Sequence, residues 1–288
     1  WNNWKHFKAV EMIDKKRAEA LIKGGAQCVG TQWIDTVKAT GAHKGRLVAR
    51  GDLEKCKVRS DSPTADNEVQ NLIFSFAASA GCEVASADIR NAYFHGEALS
   101  RTLLLKKPKH GLPDPSTDEY EYMLTRVPIY GTQDAGRQFW KALRTELLDA
   151  GLRESLVHQA CYVYAQDGEV LLIMGTHVDD LLWAARPDKR TARVIDRIKG
   201  RFELSTEEKR NFRYCGKEVR QNIDFGVTVT CSETSKKLKP INLPVGRGKQ
   251  DGPVTEEERS QMRSIIGSLA WIARTCRPDI AYRVSRMQ

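Results

Sequence analysis

The chain has 288 residues, 41% of them apolar and 29% charged, which is a globular composition that excludes a wholly disordered chain. No run approaches the ~18 to 20 apolar residues needed to span a bilayer, and no charged start with an apolar core marks a secretory leader. A formal charge of +9 favours a polyanionic partner, and nucleic acid is the commonest one.

The positive charge is scattered, as at Lys15-Lys16-Arg17, Lys106-Lys107 and Lys236-Lys237. The seven cysteines are widely spaced, with no CxxC pair, and read as reduced thiols, neither a zinc knuckle nor a disulfide framework. The chain starts at Trp1 without an initiator Met, so it reads as a piece of a longer one.

In chain order, Trp4, Phe7, Val10, Ile13 and Leu21 recur among charges up to Lys23, and Gly24-Gly25 follows. That spacing predicts an exposed amphipathic helix. Val29 to Lys38 and Arg46 to Arg50 predict two strands across the turn Ala39-Thr40-Gly41-Ala42, a basic hairpin with Lys44, Arg46 and Arg50 on or beside its second arm. Such charges serve either as protection for an edge strand or as a phosphate grip. Pro63 and a cap at Asp66 predict a helix through Leu72, Ile73, Phe76 and Ala80, ended by Gly81. A short strand, Val84-Ala85-Ser86-Ala87, then leads to Asp88.

Leu103-Leu104-Leu105 and Tyr120 to Val127 read as strands about a loop rich in Pro, Gly and Asp. Asp134 to Ala150 predicts a helix with Phe139, Trp140, Leu143, Leu147 and Leu148 inward and Gly151 as its stop. Cys161 to Ala165 and Glu169 to Met174 flank Asp167-Gly168, a strong hairpin signal. Lys189 to Lys199 predicts a helix closed by Gly200, and Phe212 to Val219 with Val227 to Cys231 a further hairpin. Lys236 to Gln250 is basic, rich in Pro and Gly, and reads as a linker. Thr255 with Glu258 forms a capping box for a helix reaching Cys276, where Arg277-Pro278 breaks it. The sum is a mixed α+β plan with acids at strand ends.

The chemistry centres on Asp179 and Asp180, set between Val170-Leu171-Leu172-Ile173-Met174 and Leu181-Leu182-Trp183-Ala184-Ala185. Two neighbouring carboxylates framed by apolar strands repel one another, and a solvent-facing turn, a raised pKa or a cation must offset that. Asp88, at the end of another apolar strand, favours the cation. Hard ions such as Mg²⁺ take oxygen ligands and retain waters, so one or two carboxylates with substrate phosphates suffice. Adjacent strand residues point to opposite faces, so Asp179 ranks above Asp180 as a ligand unless the turn re-aims one of them. Tyr93 is either a core aromatic or a ring placed where a ribose 2′-hydroxyl would sit. Lys44 and Arg46 can take phosphates, and Tyr130-Gly131 with Arg137 lie at a helix start, where free amides attract anions. A lone histidine such as His177 is more often structural than a ligand and matches Mg²⁺ poorly.

Seven blocks carry a resemblance. They are Lys44-Gly45-Arg46-Leu47-Val48-Ala49-Arg50-Gly51, Ser62-Pro63-Thr64-Ala65, Asp88-Ile89-Arg90-Asn91-Ala92-Tyr93-Phe94, Tyr130-Gly131 with Ala135 and Arg137, Val178-Asp179-Asp180, Gly216-Lys217-Glu218-Val219, and Ile266-Gly267-Ser268-Leu269 with Arg277-Pro278-Asp279-Ile280-Ala281. In this order they resemble the reverse transcriptase of copia-type retrotransposons, part of a Pol polyprotein. The resemblance implies a right-hand polymerase with fingers and palm over 25–232, an N-terminal helix or linker over 1–24, and a linker with a helical thumb- or connection-like segment over 233–288. It implies catalytic and metal-binding roles for Asp88, Asp179 and Asp180, nucleotide binding by Lys44, Arg46 and Tyr93, and nucleic-acid or primer contacts from Tyr130, Gly131, Arg137 and His177.

The implied activity is RNA-directed DNA synthesis, a nucleotidyl transfer with Mg²⁺, or Mn²⁺ as a substitute. Its partners would be an RNA template, a DNA primer and deoxynucleoside triphosphates. In the parent chain they would be protease, integrase and ribonuclease H domains. The setting implied is intracellular, in a cytoplasmic virus-like particle or the nucleus, with no membrane. The alternative is a catalytically decayed element that only binds nucleic acid, and a metal-dependent nuclease is a third reading. The chain departs from the family pattern at His177, where Tyr is usual, and at Thr132-Gln133-Asp134-Ala135-Gly136-Arg137, where Leu-Lys-Gln-Ala-Pro-Arg is usual. The added anion Asp134 is expected to weaken phosphate or template contacts.

Overall fold

The computed structural model describes residues 1–37, 41–55, 58–247 and 252–288. In chain order the first elements are α1 (Asn2–His6), β1 (Val10–Ile13), α2 (Lys15–Lys23), β2 (Gln27–Val37), β3 (His43–Ala49) and α3 (Asn67–Ala80). They are followed by β4 (Glu83–Asp88), β5 (Leu103–Lys106), β6 (Tyr122–Thr125), α4 (Ala135–Asp149), β7 (Arg153–Glu154), β8 (Cys161–Gln166), β9 (Glu169–His177), β10 (Asp180–Ala185) and α5 (Lys189–Arg201). The rest comprises β11 (Glu208–Lys209), β12 (Asn211–Tyr214), β13 (Lys217–Gln221), β14 (Val227–Thr230), α6 (Ser232–Lys236), α7 (Glu256–Thr275) and α8 (Ala281–Ser285). This is the α+β class expected from the sequence.

The chain divides into two units, one made of Trp1–Ala65, Ala87–Leu181 and Pro187–Glu207, the other of Asp66–Ser86, Leu182–Arg186 and Glu208–Gln288. The first unit holds a sheet in the order β1-β6-β5-β2-β3. β2 and β5 run parallel, and the other neighbours are antiparallel. Leu103, Leu104 and Leu105 are each 0% exposed because the sheet has apolar cover on both faces. Leu103 and Leu105 join Val29, Leu47, Phe94, Met123 and Ile129, while Leu104 joins Ile13, Ala18 and Tyr122. Each such burial contributes about 1.5 to 3 kcal/mol.

The same unit contains β7, β8 and β9 in antiparallel succession. The β8–β9 turn places Asp167 at φ 54° and Gly168 at φ 81°, the left-handed pair that a two-residue hairpin requires. In the second unit, the Asp66 carboxylate caps α3 by accepting from the Val69 amide at 2.9 Å, and Gly81 ends it at φ 61°. There β12, β13 and β14 form an antiparallel sheet, and the capping box of Thr255 and Glu258 is complete at the start of α7.

Four expectations are corrected. The single exposed helix from Trp4 to Lys23 is instead α1, β1 and α2: Lys8 turns the chain at φ 47°, Ala9 is fully buried, and Val10–Ile13 pairs with Tyr122–Thr125. Asp14 then caps α2 by accepting from the Arg17 amide at 2.7 Å. Gly200 does not close α5, which continues to Arg201 and stops where Phe202 turns into the core. Phe212 to Val219 is two strands, because Cys215 at φ 47° and Gly216 at φ 80° reverse the chain between them. The predicted linker from Lys236 begins inside α6, and Gly248, Lys249 and Gln250 lie outside the described residues, as do Lys38, Ala39 and Thr40 of the predicted hairpin turn.

Candidate active site

Asp179 and Asp180 stand at the β9–β10 hairpin, with Val178 and Asp179 as its turn. Val178 has φ 57°, a left-handed conformation that costs a β-branched residue about 1 to 2 kcal/mol. The consequence is local: the turn breaks the strict alternation of a strand, so the two acids are not bound to opposite faces. Thr64 forms an isolated bridge with His177, and the Ala65 amide donates to the Thr176 carbonyl at 2.7 Å, which fixes the end of β9.

Asp88 comes to the same place from 91 residues earlier in the chain. The Ile89 amide donates to the Asp179 carbonyl at 2.8 Å, so the backbones beside the two acids are hydrogen-bonded directly. On its other side, the Asp88 amide donates to Ser205 Oγ at 2.9 Å and its carbonyl accepts from the Ser205 amide at 2.7 Å. The next residue is held too, since the Arg90 amide donates to the Glu203 carbonyl and its guanidinium pairs with the Glu203 carboxylate at 2.9 Å.

Asp88 and Asp179 line one cavity of about 330 Å³ with Lys44, Arg46, Leu47, Arg90, Asn91 and Tyr130. Asp180 does not line it. Among the described residues the three acids do not each bring an oxygen within 4.8 Å of the other two. Electrostatics couple them nonetheless. Burial, then the charges of Asp179 and Asp180, pushes Asp88 up to about 6, against opposing pulls from Lys44 and Arg90. Burial, then Asp179, raises Asp180 as well. The cavity is not anionic overall, since Lys44, Arg46 and Arg90 line it with Asp88 and Asp179, but at Asp88 burial and the neighbouring carboxylates outweigh the pull of Lys44 and Arg90, and a cation at that point would relieve the imbalance.

Opposite the acids, β3 carries Lys44 across from Thr36 and Arg46 across from Ile34. The Arg46 guanidinium lies 4.6 Å from the centroid of the Tyr130 ring, and Tyr130 lies 4.7 Å from Tyr93 at a 51° tilt. Burial raises the Tyr93 phenol, with the Asp179 charge a smaller cause, so Tyr93 stays a neutral ring beside the acids. Gly131 is required by space: at φ 93°, an added Cβ would sit 2.1 Å from the Ala49 carbonyl oxygen. The Ala49 amide donates to the Tyr130 carbonyl at 2.8 Å and the Gly51 amide to the Gly131 carbonyl at 3.0 Å, which staples this turn to the end of β3.

With the geometry in place, comparison with known proteins decides the family. The chain matches the reverse transcriptase (RNA-dependent DNA polymerase) family over residues 21–243. It belongs to that family. It is 25% identical over 278 residues to the retrovirus-related Pol polyprotein from transposon RE2 of Arabidopsis thaliana, covering 90% of this chain and 19% of the relative. The corresponding polyprotein from transposon TNT 1-94 of Nicotiana tabacum is 24% identical over 314 residues, covering 96% and 23%. The chain therefore spans about a fifth of the length of these relatives. A solved foamy viral protease-reverse transcriptase in complex with double-stranded DNA matches with a TM-score of 0.48 at 12% identity over 95% of this chain and 43% of that one, too loose a likeness to bear on the site.

Within this reverse transcriptase family member, some residues read from the motifs lie outside the cavity. Arg137 is mostly buried, pairs with Asp61 at 2.8 Å and lies 5.6 Å from the Trp140 ring centroid. His177 turns its Nδ1 toward the Ala65 carbonyl at 3.5 Å. Asp134 does not face nucleic acid as expected: its side chain is 1% exposed and accepts from Arg101 at 2.9 Å and from Gln138 at 3.0 Å. The gained anion is therefore held inside the fold by Arg101, which it shares with Glu54. Sequence reading missed the cavity-lining Trp1, Asn3, Trp4 and Asn91, where the Asn3 amide donates to Asn91 Oδ1 at 2.6 Å. The signal within reach was Asn91, inside the Asp88 block and left-handed at φ 54°, a conformation Asn tolerates.

Proposed function

We propose that this chain is the fingers and palm of an RNA-directed DNA polymerase, over 25–232, with 233–288 as a linker and thumb- or connection-like segment. The observation that carries the reading is the convergence of Asp88 and Asp179 on one cavity with Lys44 and Arg46, in a chain of this family. The reaction forms a bond between the primer 3′-oxygen and the α-phosphorus of a deoxynucleoside triphosphate and releases pyrophosphate. Asp88 and Asp179 would hold Mg²⁺, or Mn²⁺ in its place, with Asp180 as an outer ligand. The donors fit: all are hard carboxylate oxygens, and two of them with waters and substrate phosphates satisfy such an ion. When bound, the ions supply an electrophile that eases deprotonation of the primer hydroxyl and offsets charge on the departing pyrophosphate.

The chain's own residues do the rest. Lys44 and Arg46 bind the triphosphate, Arg46 with its fork steadied by the Tyr130 face. Tyr93, packed on Tyr130 and not itself in the cavity lining, would be the sugar gate, its ring filling the space a ribose 2′-hydroxyl needs. The parent polyprotein would add protease, integrase and ribonuclease H, and the setting would be an intracellular particle or the nucleus. Among the described residues no helix is long and apolar enough to cross a membrane.

Primer extension on an RNA template with Mg²⁺ tests the reading. Wild type is expected to give full-length DNA, and Asp179→Asn none while still binding the primer–template. Binding without extension in wild type would favour a nucleic-acid binder that has lost catalysis, and template degradation would favour a nuclease.

A further inference from the structure

Arg101 lies in the loop before β5, outside every motif block, yet it is the centre of a buried ionic cluster. Its guanidinium donates to Glu54 Oε2 through Nε at 2.9 Å and Nη2 at 2.5 Å, and to Asp134 Oδ1 through Nη1 at 2.9 Å. The Glu54 side chain is 0% exposed and that of Asp134 1%, so neither carboxylate has water to fall back on. Three further hydrogen bonds from Gln133 complete the joint: its amide donates to Glu54 Oε1 at 3.2 Å, and its side chain donates to the Gly51 and Glu54 carbonyls, each at 3.1 Å.

The two segments joined are those that carry the cavity wall. Glu54 follows β3, whose Arg46 lies on the Tyr130 ring, and Asp134 follows Tyr130-Gly131 and stands just before α4, its carboxylate turned to Arg101 and Gln138 rather than to the helix amides. A stem fixed at both ends by one fork holds a ring and the cation above it in register. We propose that Arg101, with Glu54 and Asp134, is a positioning lock that sets the Arg46–Tyr130 pair for binding the triphosphate of an incoming nucleotide. This rests on the polymerase reading of the cavity. A cluster serving stability alone would leave the nucleotide indifferent to Arg101 once the fold is intact.

The test is the dissociation constant for dATP with Mg²⁺, read alongside melting temperature and primer extension. The variants are Arg101→Met, Arg101→Lys and the neutral triple Glu54→Gln/Arg101→Met/Asp134→Asn, which avoids stranding two buried carboxylates. Arg101→Met and the triple should weaken dATP binding about tenfold, Arg101→Lys should recover part of it, and the effect should vanish when Arg46→Ala is already present. Unchanged dATP binding in a triple variant that melts like wild type would overturn the lock, as would effects of Arg101→Met and Arg46→Ala that simply add. If dATP binding shows the coupling but wild type does not extend a primer, the lock stands and the polymerase reading falls.

Discussion

At the scale of single residues, the unusual backbone of Val178 and the raised Asp88 describe one pocket in two ways. Asp88 ionises at about 6 in the fold against an ordinary 3.8, so the folded chain keeps a proton that the unfolded chain has lost. Stability from this group is therefore fully present below about 3.8 and is lost as pH rises through about 6. A divalent cation competes for the same oxygens, so Mg²⁺ should raise the melting temperature more near pH 7 than near pH 5. Equal shifts at both, or an undiminished shift in Asp88→Asn, would count against the site. Tyr93→Gly should open the sugar space and let ribonucleotides be incorporated, measured as the ratio of the two kcat/KM values; an unchanged ratio removes the gate. The acids were legible in the sequence because adjacent carboxylates between apolar runs need an explanation. The Arg101 cluster was not, since its partners lie 47 and 33 residues away and no local spacing marks an ion pair formed across a fold.

At the scale of elements, the joint between the end of β3 and the Tyr130 turn is a matter of space. Gly131→Ala must displace the Ala49 carbonyl and also adopt φ 93°, and should cost at least ~2 kcal/mol, seen as an earlier urea midpoint. A variant as stable as wild type would contradict the packing described. Elements with chemical punctuation were readable: α3 between Asp66 and Gly81, the Asp167-Gly168 hairpin, and α7 behind its capping box. β1 was not, because Val10 and Ile13 fit a helical period as well as a strand, and only the open edge of β6 decides between them. The β12–β13 reversal was hidden for a similar reason, since Cys215 is not a turn residue by type and takes φ 47° only because the strands on both sides pair.

At the scale of the molecule, the polymerase reading divides the work between a formal charge of +9, which would attract a polyanion, and a cavity of mixed charge, which would act at one point along it. Binding of a primer–template should weaken steeply with salt, and the slope should be the same in Asp179→Asn, because counterion release depends on phosphate contacts and not on catalysis. The mixed class could be read from the succession of predicted helices and strands and the family from motif order, whereas the alternation of the chain between two units could not, because it depends on which distant segments pack together. The central claim is that two acids 91 residues apart hold one ion where a nucleotide binds. Electron paramagnetic resonance of Mn²⁺ titrated into wild type, Asp88→Asn and Asp179→Asn, each with dATP present, addresses it directly. The account predicts a nucleotide-dependent bound ion in wild type that is lost from both variants, and a bound ion that survives either substitution unchanged would contradict it.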